Sequence, residues 1–264
     1  MTKTPVIGLL TDFGISDSYV AILKGKILSI APHVSIIDIS HNIQSHNINQ
    51  AAFILWSTYQ HFPKNSIFIC IVDPGVGTDR KILCAKNKDY LFLAPDNGIL
   101  KYIFAYSRIT RIVSVENQNY FSNQISNTFH GRDIFAPVAA HLANGLSINK
   151  LGPIVEPKTK AEYFLSPSDK TIKVYKGKII HIDRFGNLIT NVLLNKQRIK
   201  SVEIKIGKTK IKEYAFNYAS AESNKPFMIV GSSGLLEIST KNKSAAKILN
   251  VKLNSNFHLL MKKK

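Results

Sequence analysis

Four short segments set ionisable side chains beside glycine: LLTDFG around Asp12, VDPGVGTDR from Asp73 to Arg80, TFHGRD around His130, and HIDRFGN around Asp183 and Asn187. A carboxylate or an imidazole can take up a proton, and a guanidinium can orient an oxygen by donating hydrogen bonds. Asp73 ends an apolar run and Arg80 lies across the turn that follows it. Gly75 and Gly77 permit that turn to be tight, and a hairpinned loop can then join the two charges in a strong pair. His130 stands just before a helical pattern through FAPVAAHL, where a helix-start histidine and a site histidine read alike. HGRD favours the site, because it puts three polar side chains beside a glycine where a crossover can enter a cleft. Ser232 and Ser233 in VGSSGLLE read as a β turn, and their small hydroxyls with Gly234 let a ligand come close.

Other chemistries fail on spacing. DPGVG is neither GxxxxGK[ST] nor GxGxxG, and the serines do not form GxSxG. His41 and His46, or His130 and His141, do not have the separation of HExxH or another compact zinc arrangement. No metal and no cofactor are therefore expected. Cys70 and Cys84 sit in the apolar runs FICIVD and KILCAK and read as reduced core residues of a cytoplasmic protein. The opening MTKTPVIGLLTDFG lacks the layout of a secretory signal, and no segment is long and apolar enough to span a membrane.

The elements that must position these residues follow from periodicity. TPVIGLLTD, VSIIDIS, SIFICIVD and YLFLAPD read as strands, rich in β-branched and aromatic residues and bounded by turn signals. Helical spacing runs from Asp17 to Ala31, Asn49 to Tyr59 and Gly98 to Ala105. This alternation predicts an α/β fold, with an N-terminal α/β/α domain of mainly parallel sheet over residues 1–152. Asp12, Asp38, Asp73 and Asp96 all fall at the carboxyl ends of predicted strands, the edge where an open parallel sheet forms its ligand crevice. Residues 153–170 hold three prolines and no period, and read as a linker. From 171 to 264, TIKVYKGKIIHID, SVEIKIG, KPFMIVGS, GLLEIS and VKLNSNFHLLM predict a smaller, antiparallel, barrel-like β domain with one short helix near Ser244–Leu249.

Charge is uneven. The formal net charge is +18, and residues 161–264 carry 20 Lys/Arg against 7 Asp/Glu, compared with 15 against 10 in residues 1–160. That balance raises a basic nucleic-acid-binding protein as an alternative. Lysine dominates and few aromatics alternate with it as a base-stacking surface requires, so no nucleic-acid partner is expected.

Taken in order, LLTDFGISDSYVAILKG, IVDPGVGTDR, APDNGIL, TFHGRDIFAPVAAHLANG, HIDRFGNLITN and GSSGLLEIS resemble the S-adenosylmethionine hydroxide adenosyltransferase family. These are adenosine-forming S-adenosylmethionine hydrolases, more distantly related to enzymes that transfer fluoride or chloride to the same substrate. The segments cover nearly the whole chain. The resemblance implies attack of activated water on ribose C5′ with methionine leaving. It also implies homotrimers whose sites lie between one subunit's N-terminal domain and its neighbour's C-terminal domain. On the matching motifs, Asp12 would bind the ribose hydroxyls, and Asp73, Arg80 and His130 would hold and activate water. Asp183 and Ser232 would contact the methionine portion, while Phe185 and Asn187 would line the nucleoside site. IDRFGN is shorter than the matching stretch of the halide-transferring relatives. Halide transfer is the nearest alternative, but VDPGVG and TFHGRD place a carboxylate and a histidine where an anion needs neutral donors. A methyltransferase reading lacks the usual glycine-rich strand-to-helix signal.

Overall fold

The computed structural model describes residues 4–167, 173–194, 199–222 and 225–263. The chain divides into two compact units, Met1–Tyr163 and Phe164–Lys264. The first is built on a six-stranded sheet in the order β2-β1-β3-β5-β4-β6. Its strands are β1 (Val6–Thr11), β2 (Ser35–Ser40), β3 (Ile67–Ile71), β4 (Ile82–Asn87), β5 (Leu91–Pro95) and β6 (Ile109–Ser114). β2, β1, β3 and β5 run parallel, and β4 enters antiparallel between β5 and β6.

Strand alternation explains the layers. Ile7, Leu9, Ile69 and Ile71 point to one face, where Leu23 and Ile27 of α1 (Tyr19–Ile30) and Val138 and Ala139 of α4 (Ala136–Ala143) cover them. Leu10, Phe68, Cys70 and Phe92 point to the other, under Ala51 and Leu55 of α2 (Ile48–Thr58) and Ile103 of α3 (Lys101–Tyr106). A sheet covered on both faces must be apolar at every position, which is why β3 is buried throughout. Both cysteines are buried and free. Burial pushes the Cys84 thiol up to about 12.

Residues after 152 remain strapped to this unit up to its end. Ile154 bridges to Val113, Asp96 accepts from the Lys158 and Thr159 amides, and Glu162 pairs with the buried Lys101 at 2.8 Å. The expected end of the linker at 168–170 and the first residues of the second domain, 171–172, lie outside the described residues.

The second unit is one antiparallel sheet in the order β10-β9-β13-β7-β8-β12-β11. The strands are β7 (Lys173–Ile182), β8 (Leu188–Leu193), β9 (Ile199–Ile206), β10 (Thr209–Ile211), β11 (Phe227–Val230), β12 (Leu235–Ser239) and β13 (Asn256–Lys263). Beyond β10 the chain turns along β11, where Met228 donates to the Glu213 carbonyl and the Ala215 amide donates to Met228. The two sheet edges are thereby drawn together into a near-barrel around Ile179, Val192, Ile204, Met228, Leu236, Phe257 and Leu259. α5 (Ala245–Leu249) is the short expected helix, capped by Ser244.

Candidate active site

The loop leaving β3 is wound tightly by its own hydrogen bonds: Val76 N–H to the Asp73 carbonyl, then Thr78 N–H and Oγ1 to the Gly75 carbonyl. Gly77 has φ +80°, and a Cβ there would meet the Asn127 carbonyl oxygen at 2.5 Å. Only glycine lets this loop lie directly on the segment that precedes His130. The winding brings Arg80 back onto Asp73. Arg80 Nε donates to Oδ1 at 2.9 Å and Oδ2 at 2.7 Å, and Nη2 also contacts Oδ2. The two side chains are only 11% and 5% exposed, so this is a buried ion pair.

His130 closes the group from a different part of the chain. Its Nδ1 lies 3.0 Å from Arg80 Nη2. A guanidinium can only donate, so Nδ1 accepts and the neutral ring carries its hydrogen on Nε2. Burial, and then the charge of Arg80, hold the imidazole below its ordinary pKa, against the opposing pull of Asp73 and Asp133. Arg80 therefore fixes the tautomer of His130, and burial together with the Arg80 charge favours its neutral form.

The rest of HGRD has separable tasks. Gly131 opens a π-helical turn, Gly131–Phe135, that leads into α4. A Cβ on it would press Leu23, Phe129 and Ile71 at 3.3–3.4 Å. Asp133, 2% exposed, accepts from the Ser126 amide and from Arg132, fastening the loop before His130. Arg132 lies over the Phe129 ring at 5.4 Å.

These segments open onto a cavity of about 420 Å³, ample for a small molecule. Asp12, Asp73 and His130 are in its wall together with Phe13, Tyr19 and Phe129. The three aromatic rings pack on one another with centroids 5.2–6.0 Å apart. Arg80 is not in the wall and holds Asp73 and His130 from behind. Asp12 Oδ2 accepts from the His46 amide at 2.9 Å, which leaves Oδ1 for a ligand. Among the aspartates at the strand ends, then, Asp12 and Asp73 share the cavity and the other two do not. Asp38 pairs with Lys24 at 2.6 Å, and Asp96 caps the amides of Lys158 and Thr159. A larger cleft of about 570 Å³ lies at the opposite, amino-terminal strand edge and has none of these groups.

The remaining expected site residues belong to the second unit. Asp183 accepts from the Phe185 and Asn187 amides and from Asn187 Nδ2, all at 2.8–2.9 Å, and so builds the DRFGN turn. Asp183, Phe185 and Asn187 line a cavity of about 590 Å³ with Tyr218, Thr240 and Ser244. Phe185 is 77% exposed, an unusual state for a large apolar ring. Ser232 and Ser233 occupy the turn between β11 and β12, closed by Gly231 N–H to Leu235 and Gly234 N–H to Gly231. They lie outside that cavity wall.

Glu237 was not singled out by its sequence position. Its carboxylate packs on Gly231, at the base of the serine turn, and burial followed by the charge of Asp183 pushes it up to about 7. Glu237 thus stands between the Ser232 turn, on which it packs, and the Asp183 carboxylate, whose like charge it feels. The available signal was a lone carboxylate inside the apolar strand LLEIS.

The model of the SAM hydroxide adenosyltransferase N-terminal domain matches residues 7–152, and that of the C-terminal domain matches residues 177–258. The chain belongs to the SAM hydroxide adenosyltransferase family. It is 36% identical over 261 residues to an (R)-S-adenosyl-L-methionine hydrolase of Methanocaldococcus jannaschii, covering 93% of this chain and 92% of the relative. An (R)-S-adenosyl-L-methionine hydrolase of Thermus thermophilus is 31% identical, with 92% and 94% covered. A crystal structure of an uncharacterized conserved protein from Thermotoga maritima superimposes with a TM-score of 0.85 at 31% identity, over 96% of this chain and 99% of that one. Both units are thus accounted for by this family. Among the described residues, no helix is long and apolar enough to cross a membrane.

Proposed function

We propose that the protein hydrolyses S-adenosyl-L-methionine to adenosine and L-methionine. The observation that carries this reading is the Asp73–Arg80–His130 group opening beside Asp12 onto one small-molecule cavity, in a chain of this family. Water oxygen attacks ribose C5′, the C5′–S bond breaks, and its electron pair returns to sulfur to give a neutral thioether. No acid is needed for the leaving group. His130 Nε2–H donates to the attacking oxygen and sets its line of approach. Asp73 accepts the proton that the water sheds as the C–O bond forms, and Arg80 acts through both. Attack by hydroxide-like oxygen on a sulfonium destroys opposite charges, so a wall of Phe13, Tyr19 and Phe129 that limits water favours the reaction. Asp12 accepts from the ribose hydroxyls through Oδ1.

Asp183 and Ser232 take the methionine portion, Phe185 and Asn187 the nucleoside, and Ser233 the same turn-side contacts as its neighbour. The exposed Phe185 ring supports a homotrimer, in which the second domain of one copy completes the cavity of the next. The substrate is a small molecule, handled by a cytoplasmic enzyme that needs no metal, nucleic acid or membrane. Halide transfer fits poorly, since an anion entering the cavity meets the Asp73 carboxylate while Arg80 stays behind it.

Turnover in heavy-oxygen water tests the reaction. Heavy oxygen should appear at the adenosine 5′-hydroxyl, with methionine unlabelled. Enzyme-dependent turnover that leaves adenosine unlabelled rules out this chemistry.

A further inference from the structure

Behind Asp12 lies a second polar chain that the chemistry above does not use. Thr11, fully buried at the end of β1, has its Oγ1 2.8 Å from His41 Nδ1. The same oxygen accepts from the Phe13 amide at 3.3 Å. His41 is 5% exposed, and its Nε2 lies 3.0 Å from Asp38 Oδ1, a close approach too bent to be a straight hydrogen bond. Lys24 of α1 donates to the other Asp38 oxygen at 2.6 Å. Burial works to raise the Asp38 carboxyl, and the bond from Lys24 with the close approach of His41 outweighs it, holding it below the ordinary range. An ionised Asp38 keeps the ring hydrogen on Nε2, so Nδ1 is an acceptor and the Thr11 hydroxyl donates to it.

The main chain repeats the grip. Gly14 donates its amide to the His41 carbonyl at 2.8 Å, with φ +68°. Thr11 immediately precedes Asp12, and Gly14 follows Phe13. His41 therefore holds both ends of the four-residue stretch Thr11–Gly14 that carries Asp12 and Phe13 into the cavity.

We propose that His41 is a positioning residue, which through Thr11 and Gly14 fixes the Asp12 carboxylate at the angle that receives the ribose. This rests on the reading of Asp12 as the ribose-binding carboxylate. A buried hydrogen-bonded imidazole is suited to the task, because its planar ring transmits one orientation from Asp38 to Thr11 with few rotatable bonds.

The test pairs isosteric losses with conservative rescues. Thr11→Val removes the hydroxyl and keeps the shape, whereas Thr11→Ser keeps the hydroxyl. His41→Asn sets an amide oxygen near the depth of Nδ1, whereas His41→Gln reaches towards Asp38 and abandons Thr11. Thr11→Val and His41→Gln should raise KM, and Kd for adenosine, by about 10-fold, with kcat changed far less. Thr11→Ser and His41→Asn should return both close to the parent values. In an Asp12→Asn background Thr11→Val should add no further loss, because its effect travels through Asp12. Val113→Ala, a buried change in β6 at the far edge of the sheet, controls for lost stability and should leave KM unchanged. Should Thr11→Val fail to fold, His41→Gln against His41→Asn carries the same comparison. Unchanged KM and adenosine affinity in the folded loss variants, absence of rescue, or full additivity with Asp12→Asn would each overturn the proposal. Failure of the parent protein to bind adenosine would instead overturn the reading of the site on which it rests.

Discussion

Arg80→Met removes the charge that joins Asp73 to His130, and its consequences separate stability from catalysis. With the guanidinium gone, an aspartate only 5% exposed is left as an unpaired buried charge. Breaking such a pair costs about 3–5 kcal/mol, and a chain of this size loses roughly 2–4 °C of Tm per kcal/mol. A fall in Tm of roughly 6–20 °C is expected by thermal unfolding, and a loss of about 3–5 kcal/mol by urea unfolding. The double variant Asp73→Asn with Arg80→Met should lose less than the sum of its parts, since neither charge is then stranded. His130 adds a pH signature. In the parent, burial and then Arg80 lower its pKa while Asp73 and Asp133 raise it. Removing Arg80 leaves the raising charges in place, so the imidazole protonates at higher pH and the acid limb of kcat/KM moves upward. The stability sign agrees. A depressed native pKa makes the unfolded chain bind more protons, so His130 favours folding increasingly as pH rises through that window, and the variant loses part of this slope. A stability loss below about 1 kcal/mol would put the pair in the range of surface bridges. That result, or an acid limb that stays put or moves downward, would refute the electrostatic account.

Glu237→Gln should stabilise the protein at and above pH 7 and change little near pH 4.5, because native Glu237 is raised to about 7 and binds protons the unfolded chain has released. Allowing for its partial exposure, the gain is on the order of 1–2 kcal/mol in urea unfolding, and a pH-independent difference would count against it. Gly77→Ala should cost about 1–3 kcal/mol and lower kcat, since φ +80° and the Asn127 carbonyl both oppose a Cβ. Full activity with unchanged Tm would mean that the Asp73–Arg80 loop and the segment before His130 do not depend on that contact. Sedimentation across a concentration series should find a trimer, and a fully active monomer would remove the shared site while sparing the chemistry.

The parallel strands were legible because sheet covered on both faces must be apolar throughout, and VIGLL, FICIV and LFLAP are. β6, β8 and the three-residue β10 were not assigned, and β4 was read only as the apolar run KILCAK. Thr110 and Arg111 interrupt the apolar pattern of the edge strand β6, and in β8 the polar Thr190 is buried with its hydroxyl donating to the Leu236 carbonyl of the next strand. The Asp73–Arg80 pair could be anticipated because one local turn makes it. Its junction with His130 could not, since 50 residues separate the partners. For the same reason the strand-end aspartates looked equivalent: what removes Asp38 and Asp96 from the cavity is His41 and Lys24 in one case and the backbone of residues 158–159 in the other. Glu237 stayed hidden because its chemistry comes from burial.

β13 lies in the middle of its sheet, paired with β9 on one side and β7 on the other, although it is the final strand in chain order. During synthesis the ribosome therefore releases both neighbours before the strand that must join them. Until Asn256–Lys263 emerges, β7 and β9 each present an open row of amides and carbonyls, the state most exposed to pairing with another nascent chain. In the first unit β5 also follows both its neighbours, β3 and β4, but it begins at Leu91, directly after β4 ends at Asn87, so that gap closes almost as soon as it opens. Vulnerability to misassembly on the ribosome is thus concentrated in the second half, and a stop codon shortly before residue 256 would leave a sheet split down its centre.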